Sequence, residues 1–252
     1  QRTLNIGMDS FVFLDDNPFE RQAVRSLIAE ITVPELPENP EEYVDYLRSL
    51  NLFETASYSE EDRVRTQQYQ AEARRVSLQS QCADYDAYLE SLEMVAEAKP
   101  FDSFHFPRIA QLTQRSNQFN LRTVRYTEQE IAAIAASENH VTLYFTLRDK
   151  FGDHGLISAV IMEKREDRLF VDTWLMSCRV LKRGMEEFIV NKMIEAAANA
   201  GFATVEGEYL KTAKNAMVAN IYEKMGFTPI GDGRFVADTA AFQKNKTHIV
   251  EE

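Results

Sequence analysis

The order of the elements predicted for the second part of the chain indicates an α+β fold built on one mixed β-sheet. Three segments rich in β-branched and aromatic residues, 141–147, 156–162 and 169–176, follow one another across short turns and predict an antiparallel meander of strands. A helical pattern at 184–200 separates the last of these strands from a further strand at 203–209. This strand–helix–strand arrangement implies one parallel crossover, so the sheet is predicted to be mixed.

The elements on either side of the meander complete the predicted order β-α-α-β-β-β-α-β-α-β. Each helix is predicted from apolar residues that recur at helical spacing, and each strand from a short apolar run. Gly226 closes the last helix, as glycine commonly does at a helix end. The elements are a strand at 94–99, helices at 104–119 and from Thr127, a helix at 216–225 and a strand at 235–237.

The first part of the chain is predicted to be mostly helical. A short apolar run at 11–14 predicts a buried strand, after which Asn17 and Pro18 suit the cap and first turn of a helix over 19–31. Further helices are predicted from Asn39-Pro40 to Leu50, over 60–80 with a capping box of Ser59 and Asp62, and over 84–92.

The charge distribution divides the chain in two. The acidic excess is concentrated before residue 93, where the pattern of elements also changes, so we predict a boundary near Leu92 and two domains, 1–92 and 93–252. The formal net charge of −12 argues against broad binding to nucleic acid, which needs a basic footprint. No apolar run reaches the ~20 residues of a membrane span.

The cysteine content indicates the redox compartment in which the protein is expected. Only Cys82 and Cys178 are present, which excludes a disulfide scaffold and fits a reducing compartment, so we expect a cytoplasmic protein. The chain begins at Gln1 with no signal peptide pattern, and a processed chain or a fragment is therefore expected.

Two acidic residues, Asp15 and Asp16, follow the predicted strand at 11–14. Adjacent carboxylates at the end of a buried strand can hold a hard cation such as Mg²⁺. Asp is also a favoured residue at helix starts, so a capping role beside the strand end is the alternative interpretation.

Cys178 is the strongest candidate nucleophile. It follows the strand at 169–176 and precedes a helix start, with Arg179, Lys182 and Arg183 close by in sequence. Positive charges and a helix dipole favour the thiolate, which can accept an acyl group and hold it as a thioester. The alternative is a buried small hydrophobic residue, the usual state of a free cysteine. Cys82 lies on a polar helix without a basic cluster, and we interpret it as structural.

The string NAMVANIYEKMGF, residues 215–227, resembles the end motif of the GNAT acyltransferase superfamily. The resemblance implies that Tyr222 lies near the sulfur of a pantetheine thioester, where a phenol can protonate a departing thiolate. A buried aromatic residue on an amphipathic helix is the alternative. Lys214 and Asn215 are candidates for contacts with phosphopantetheine, or else form a solvated helix start.

The GNAT resemblance also implies an anion site at the start of the helix beginning at Gly184. Of the pattern Gln/Arg-x-x-Gly-x-Gly/Ala, this chain matches only the glycine, and Glu186 places a carboxylate where the anion should bind. Like charges this close repel by roughly 1–4 kcal/mol. Coenzyme A is thereby disfavoured relative to the singly phosphorylated arm of an acyl carrier protein. The basic residues available to such ligands are Arg179, Lys182, Arg183, Lys211 and Lys214.

Seven strings together resemble the FkbH-like family, in which a haloacid-dehalogenase-type (HAD, subfamily IIIC) phosphatase is joined to a GNAT-like domain. The resemblance implies a small phosphorylated three-carbon substrate, D-1,3-bisphosphoglycerate, and transfer of a glyceryl group through an enzyme thioester to an acyl carrier protein. The strings are FVFLDDNPFER, VPELPENPEEYV, EEDRVRTQQY, RSNQFNLRTVRYTEQEI, RDKFGDHGLISAVI, DTWLMSCRVLKRGMEE and TAKNAMVANIYEKMGF.

Under this resemblance, Asp15 and Asp16 match the last acidic motif of a HAD phosphatase, which helps to hold Mg²⁺. The Asp-x-Asp nucleophile and the lysine of such an enzyme would lie upstream, and neither precedes Asp15 here. We therefore expect a C-terminal fragment whose first domain is a remnant of the phosphatase fold, with an incomplete Mg²⁺ site and no phosphatase turnover.

The remaining candidates are polar residues suited to binding an acyl group. Asn117, Gln118 and Asn120 could bind its hydroxyl or carbonyl, or else cap the preceding helix. Asp172 could orient a base or bind substrate hydroxyls, and Asp153 follows a turn glycine. Two rival functions stay open: a coenzyme A-dependent N-acetyltransferase, and a non-catalytic module that docks a carrier protein.

Overall fold

The computed structural model describes residues 8–53 and 65–252, with the backbone alone for 65–69. The chain forms two compact units, Gln1–Gln81 and Cys82–Glu252. The unit boundary therefore falls earlier in the chain than the boundary predicted near Leu92. The short helix Tyr85–Ser91 belongs to the second unit, where the Asp86 carboxylate accepts hydrogen bonds from Lys246 and His248.

The first unit begins with a helix whose start matches the sequence prediction. The side chain of Asn17 accepts a hydrogen bond from the N–H of Phe19, and Pro18 occupies the first turn of helix α1, Pro18–Leu27. The strand predicted at 11–14 is wrong in extent, because this segment forms only one parallel bridge, between Val12 and Thr32. Helices α2 (Tyr43–Ser49) and α3 (Arg65–Gln79) follow, and the predicted capping residues Ser59 and Asp62 lie outside the described residues.

The second unit contains an eight-stranded mixed sheet of order β6-β7-β5-β4-β3-β2-β1-β8. Strands β1 to β4 form an antiparallel meander, β4 and β5 are parallel, and β5, β7 and β6 are antiparallel. The mixed sheet predicted from sequence is thus confirmed. The strands are β1 Val95–Lys99, β2 His140–Asp149, β3 Gly152–Arg165, β4 Arg168–Met176, β5 Thr204–Glu208, β6 Thr228–Gly231, β7 Arg234–Asp238 and β8 Val250–Glu251.

Helices cover both faces of this sheet. One face packs against helices α5 and α6, whose Ile109, Leu112 and Ile131 join a buried cluster with Ile161 and Leu175 of the sheet. The opposite face packs against α7 and α8, where Phe188 contacts Phe145 and Tyr222 stacks on Phe235. The helices of this unit are α4 Tyr85–Ser91, α5 Phe106–Arg115, α6 Glu128–Ala136, α7 Met185–Asn199 and α8 Ile221–Lys224.

Four elements of the second unit differ from the prediction. Helix α5 ends at Arg115, because Ser116 is extended and the residues after it join the sheet region. The helix predicted at 216–225 is divided into a 3₁₀ turn, Ala216–Val218, and the short α8. Strands β6 and β8 were not predicted. Among the described residues, no helix is both long enough and apolar enough to cross a membrane.

Candidate active site

Strands β4 and β5 separate at their carboxyl ends. They pair only from Arg168–Thr204 to Val171–Gly207. The register between β3 and β4 shifts at this point, because Met162 pairs with Val171 and Ile161 with Thr173, which leaves Asp172 as a bulge residue. Beyond Val171, β4 therefore has an edge that β5 does not pair.

Residues 116–123, here called the strap, occupy this split. Asn120 forms an antiparallel bridge with Leu175 of β4. The Leu121 N–H donates to the Trp174 carbonyl at 3.3 Å, and the Met176 N–H donates to the Phe119 carbonyl at 3.1 Å. On the other side, the N–H of Leu210, just beyond β5, donates to the Leu121 carbonyl at 2.8 Å. The strap thus fills the space between the two diverging strands.

Arg122 of the strap ties both strands together. Its Nη1 donates to Asp172 Oδ1 at 2.6 Å, and its Nε donates to Glu208 Oε2 at 2.7 Å. The Tyr126 hydroxyl donates to the other Asp172 oxygen at 2.5 Å. Burial, together with the hydrogen bond to Asp172, raises the pKa of Tyr126, so this phenol remains protonated at neutral pH. Asp172, a predicted site residue, is therefore a half-buried carboxylate held by an arginine and a phenol.

Asn120 and Asn215 use their side chains to hold the strap in place. The Asn120 amide donates to the Ser116 carbonyl at 3.2 Å and accepts from the Thr123 N–H at 2.8 Å. Asn215 donates to the Asn120 carbonyl at 3.0 Å and accepts from Thr212. Both side chains are fully buried. In this structure both side chains hydrogen-bond to other residues of the protein. The sequence predicted instead that Asn120 contacts an acyl group and that Asn215 contacts phosphopantetheine.

Tyr222 and Trp174 form a buried pair beneath the strap. Trp174 contacts Phe119 at 5.3 Å and Tyr222 at 5.8 Å between ring centroids. The Trp174 Nε1 and the Tyr222 hydroxyl are buried without a hydrogen-bond partner, although the Tyr222 oxygen lies close to the backbone of Glu208. Burial raises the pKa of Tyr222, and the positive charge of Arg122 opposes the rise. The predicted proton donor is therefore protonated, and its side chain is buried.

Cys178 lies in a 3₁₀ turn, Cys178–Val180, directly after β4, and its side chain is exposed. The Ser177 N–H donates to the Ile157 carbonyl at 2.7 Å and holds this turn against β3. Arg179 Nε donates to the Ser177 hydroxyl at 3.3 Å. The thiol is thus accessible, in contrast to the alternative of a buried small hydrophobe.

Arg183 points into the fold. Its Nη1 lies 3.1 Å from His154 Nε2 and 3.5 Å from Asp149 Oδ2, and only 5% of the residue is exposed. These contacts anchor the segment between Cys178 and α7 to the β2–β3 hairpin. The sequence predicted that Arg183 binds a phosphate. In the structure its guanidinium faces the Asp149 carboxylate instead.

The start of α7 carries its own carboxylate. Gly184 adopts a left-handed conformation at the cap, with φ of 82°. Glu186 Oε1 accepts a hydrogen bond from the Lys182 N–H at 3.3 Å, and its second oxygen is buried without a partner. Burial raises the pKa of Glu186. The Glu186 side chain therefore lies at the start of α7, and its conflict with a bound anion stays a prediction.

The other predicted residues are dispersed. Asn117 accepts a hydrogen bond from Arg125 at 2.7 Å, Gln118 is exposed, and Asp153 accepts from the Gly155 N–H within its turn. The basic residues Lys182, Lys211 and Lys214 are exposed and Arg179 is half-buried.

Asp15 and Asp16 lie in the first unit and do not form a complete cation site. Asp15 Oδ1 accepts the Asn17 N–H, and both backbone carbonyls accept from Arg21. Mg²⁺ prefers six oxygen ligands, and no group of three metal-ligating side chains occurs within the described parts of the chain. The two carboxylates therefore do not by themselves supply the ligands that a Mg²⁺ ion needs.

The site contains residues that sequence reasoning missed. Arg122, Trp174, Tyr126 and Glu208 were not singled out, although they connect the strap, β4 and β5. Arg122 directly follows the NQFN string, and Trp174 and Asp172 share the strand that leads to Cys178. The sequence feature that could have identified these residues is their position next to the candidate residues.

Comparisons with known proteins give fold likenesses only. A ribosomal-protein alanine N-acetyltransferase from Escherichia coli is 18% identical over 56% of this chain and 91% of its own, with a TM-score of 0.41. A spermidine N-acetyltransferase from Vibrio cholerae, solved with CoA and spermine, is 11% identical over 59% of this chain and 96% of its own, with a TM-score of 0.44.

A third likeness concerns a different kind of protein. The N-terminal part of a Bacteroides fragilis protein, containing a phosphatase domain complexed with Mg, is 69% identical over 23% of this chain and 15% of its own, with a TM-score of 0.22. No family model and no curated protein matched the sequence. The strand order and the α7 crossover give the second unit the mixed-sheet α+β fold that the sequence predicted.

Proposed function

We propose that the second unit is an acyltransferase that carries a glyceryl-type acyl group as a thioester on Cys178 and passes it to the phosphopantetheine arm of an acyl carrier protein. One observation carries the proposal: the Cys178 thiol is exposed in a tight turn at the carboxyl end of β4, next to Arg179. Exposure of the thiol and a basic residue next to it in sequence are features of reactive cysteines.

The proposed reaction has two balanced steps. The Cys178 thiolate attacks the acyl carbonyl of the donor, a carbon–sulfur bond forms, and the donor's leaving group departs with its electron pair. The thiolate of the carrier arm then attacks the same carbonyl, its own carbon–sulfur bond forms, and Cys178 leaves as thiolate. Splitting the transfer through an enzyme thioester lowers each barrier.

The start of α7 favours a carrier arm over coenzyme A in this proposal. Glu186 already bonds the Lys182 N–H there, so a pyrophosphate would meet a carboxylate. A single phosphate on a carrier arm meets less repulsion. The exposed Lys182, Lys211 and Lys214 offer positive charge to an acidic carrier.

The rival functions make different predictions at Cys178. A coenzyme A-dependent N-acetyltransferase needs no cysteine and should bind coenzyme A tightly. A docking module should bind a carrier but form no covalent adduct. Both rivals predict that replacing Cys178 leaves their activity intact.

Intact-protein mass spectrometry with a synthetic glyceryl thioester as the acyl donor tests the proposal. The wild-type chain should gain the mass of one glyceryl group, and hydroxylamine should remove it. Cys178→Ala should gain none. The matched control is Cys82→Ala, because Cys82 is the second free thiol and is half-buried, with its sulfur 3.9 Å from the Ser91 hydroxyl.

The outcomes separate the three functions. A glyceryl adduct that persists in Cys178→Ala and disappears in Cys82→Ala would contradict the proposed nucleophile. Absence of any adduct, together with tight binding of coenzyme A, would favour the N-acetyltransferase.

A further inference from the structure

Residues 177–184, here called the Cys178 loop, connect β4 to the start of α7 and are tied to the β2–β3 hairpin at both ends. At the first end, the Ser177 N–H donates to a carbonyl of β3 at 2.7 Å. At the other end, Arg183 Nη1 lies 3.1 Å from His154 Nε2 and 3.5 Å from Asp149 Oδ2. The exposed thiol therefore lies on a short loop whose two ends are fixed to one hairpin.

The backbone of the Cys178 loop is strained just before α7. Lys182 has φ of 64°, a left-handed conformation that residues other than glycine seldom adopt. Two side chains hold it there, because the Tyr85 hydroxyl donates to the Lys182 carbonyl and Glu186 Oε1 accepts from the Lys182 N–H. Strained residues persist only where the surrounding contacts fix them, and they cluster at active sites. The strain therefore indicates that one conformation of this loop matters for function.

The contact between Arg183 and Asp149 is a buried ion pair. The Asp149 side chain is fully buried and that of Arg183 is nearly so. Removal of two charges from water costs free energy that their attraction returns only in part, so a buried pair is weak evidence for stability. A guanidinium has rigid, planar donors, and such a pair therefore fixes geometry. His154 adds a further contact to the same Arg183 nitrogen, so the arrangement is suited to holding the loop in one position.

We propose that Arg183, held by Asp149 and His154, is a positioning residue for the Cys178 nucleophile. Its guanidinium faces the hairpin, and it acts on the thiol through the backbone of the loop. In this role it keeps the thiol aligned with the carbonyl of a bound acyl donor. Misplacement of a reacting group by about 1 Å costs roughly 10²-fold in rate. The inference rests on the proposed acyl transfer, because that function makes Cys178 the nucleophile.

Single-turnover acylation of Cys178 by the synthetic glyceryl thioester tests this role, with intact-protein mass spectrometry over a series of donor concentrations. Every protein carries Cys82→Ala, so that one thiol is observed. Arg183→Met should lower the limiting acylation rate by roughly tenfold or more, because the thiol is no longer held at the carbonyl. The half-saturating donor concentration should stay the same, because Arg183 faces the hairpin. An unchanged limiting rate would overturn the proposal.

A second substitution separates positioning from loss of stability. Arg183→Met alone leaves the buried Asp149 carboxylate without this cation, which is destabilising. Asp149→Asn in the same chain removes the charge and keeps the side-chain oxygen that accepts the Phe151 N–H. The double variant should therefore regain thermal stability but keep the low limiting rate. Recovery of both would show a purely structural role and would overturn the proposal.

Alkylation by iodoacetamide distinguishes the position of the thiol from its ionisation. This reagent needs no binding site, so its rate follows the fraction of thiolate. Over a pH series, Cys178 in Arg183→Met should be alkylated as in the parent protein. A parallel fall in alkylation and acylation would mean that Arg183 acts on the ionisation of the thiol, and would overturn the positioning role.

Arg183→Lys serves if Arg183→Met does not fold. Lysine keeps a cation opposite Asp149 but lacks the planar donors that reach His154 and Asp149 together. The limiting acylation rate should fall to a smaller extent, again with the same half-saturating donor concentration. A wild-type limiting rate in this variant would contradict the proposal.

Arg168→Met is the matched control. Arg168 Nη1 lies 2.7 Å from Glu206, a carboxylate that is only 3% exposed, at the opposite end of β4 from Cys178. This variant should lose thermal stability and keep the limiting acylation rate. A fall in rate equal to that of Arg183→Met would attribute both falls to general destabilisation and would refute the positioning role.

Failure of the positioning role and failure of the proposed function give different results. Exchange of the Val180 N–H, which donates to the Ser177 carbonyl at 3.3 Å, reports the order of the loop without an acyl donor. Arg183→Met should speed this exchange, and unchanged exchange would show that Arg183 does not fix the loop. An adduct that forms at the same rate in wild type and Arg183→Met refutes positioning alone. A wild type that forms no adduct refutes the acyl transfer, and Arg183 is then a structural anchor only.

Discussion

Glu186→Gln should stabilise the protein at neutral and alkaline pH and should lose this effect in acid. The carboxylate at the start of α7 is largely buried, and one of its oxygens has no partner. Burial raises its folded-state pKa above the unfolded value of about 4.3. A raised pKa means that the charged form is the less stable one in the fold, so wild-type stability falls as the pH rises through the folded pKa.

The magnitude follows from two opposing effects. An unpartnered buried oxygen costs about 1–3 kcal/mol, and glutamine removes the charge but keeps the acceptor for the Lys182 N–H. Loss of a negative charge at a helix start costs about 0.3–1 kcal/mol. The net gain should be on the order of 1 kcal/mol at pH 8, or about 2–4 °C in Tm.

The assay is thermal and urea unfolding of both proteins at pH 4 and at pH 8. The other carboxylates titrate equally in both, so the difference between the two proteins isolates Glu186. Glu187→Gln, which removes a charge from the same first turn, reports the helix-dipole contribution. A Glu186→Gln gain that shrinks toward pH 8, or a loss of stability there, would refute the reasoning.

Three further changes test the packing around the site. Tyr222→Phe should raise the free energy of unfolding by up to about 1 kcal/mol, because it removes a buried hydroxyl whose hydrogen has no acceptor, and a lower Tm would contradict this. Gly207→Ala should lower the free energy of unfolding by about 3 kcal/mol or more, because the new Cβ would lie 2.2 Å from Tyr222 Cζ. Adding Tyr222→Leu to the same chain should recover part of this stability. If the losses of the two variants simply add in urea unfolding, the predicted contact is contradicted. Thr127→Ala should cost about 1 kcal/mol in urea unfolding by breaking the capping box with Glu130, and no change would show that α6 does not depend on its cap.

The parts of the fold that could be predicted from sequence depend on local signals. Asn17 and Thr127 cap helices as predicted, because a cap involves residues only two or three positions apart. The strands β2 to β4 were predicted because short turns join strands that pair with each other. Strand β8 was missed, since Val250–Glu251 is two residues long and pairs with β1 from the far end of the chain.

The strap could not be predicted, because nothing in its local sequence marks it as a sheet element. Its helical neighbour α5 suggested that the helix continues through 119. The decisive bonds are long-range: Asn215 reaches Asn120 across 95 positions, and Arg122 reaches Glu208 across 86. Asn120 and Asn215 were chosen from separate sequence strings, and their roles in the fold depend on these distant partners.

Unsatisfied polar atoms reduce the stability that the strap contributes to the fold. Among the described residues, the Thr123 hydroxyl and the Nε1 of Trp174, which contacts Phe119 of the strap, are buried without partners. Each such atom costs about 1–3 kcal/mol relative to a bonded one, which offsets much of what the strap's backbone bonds contribute.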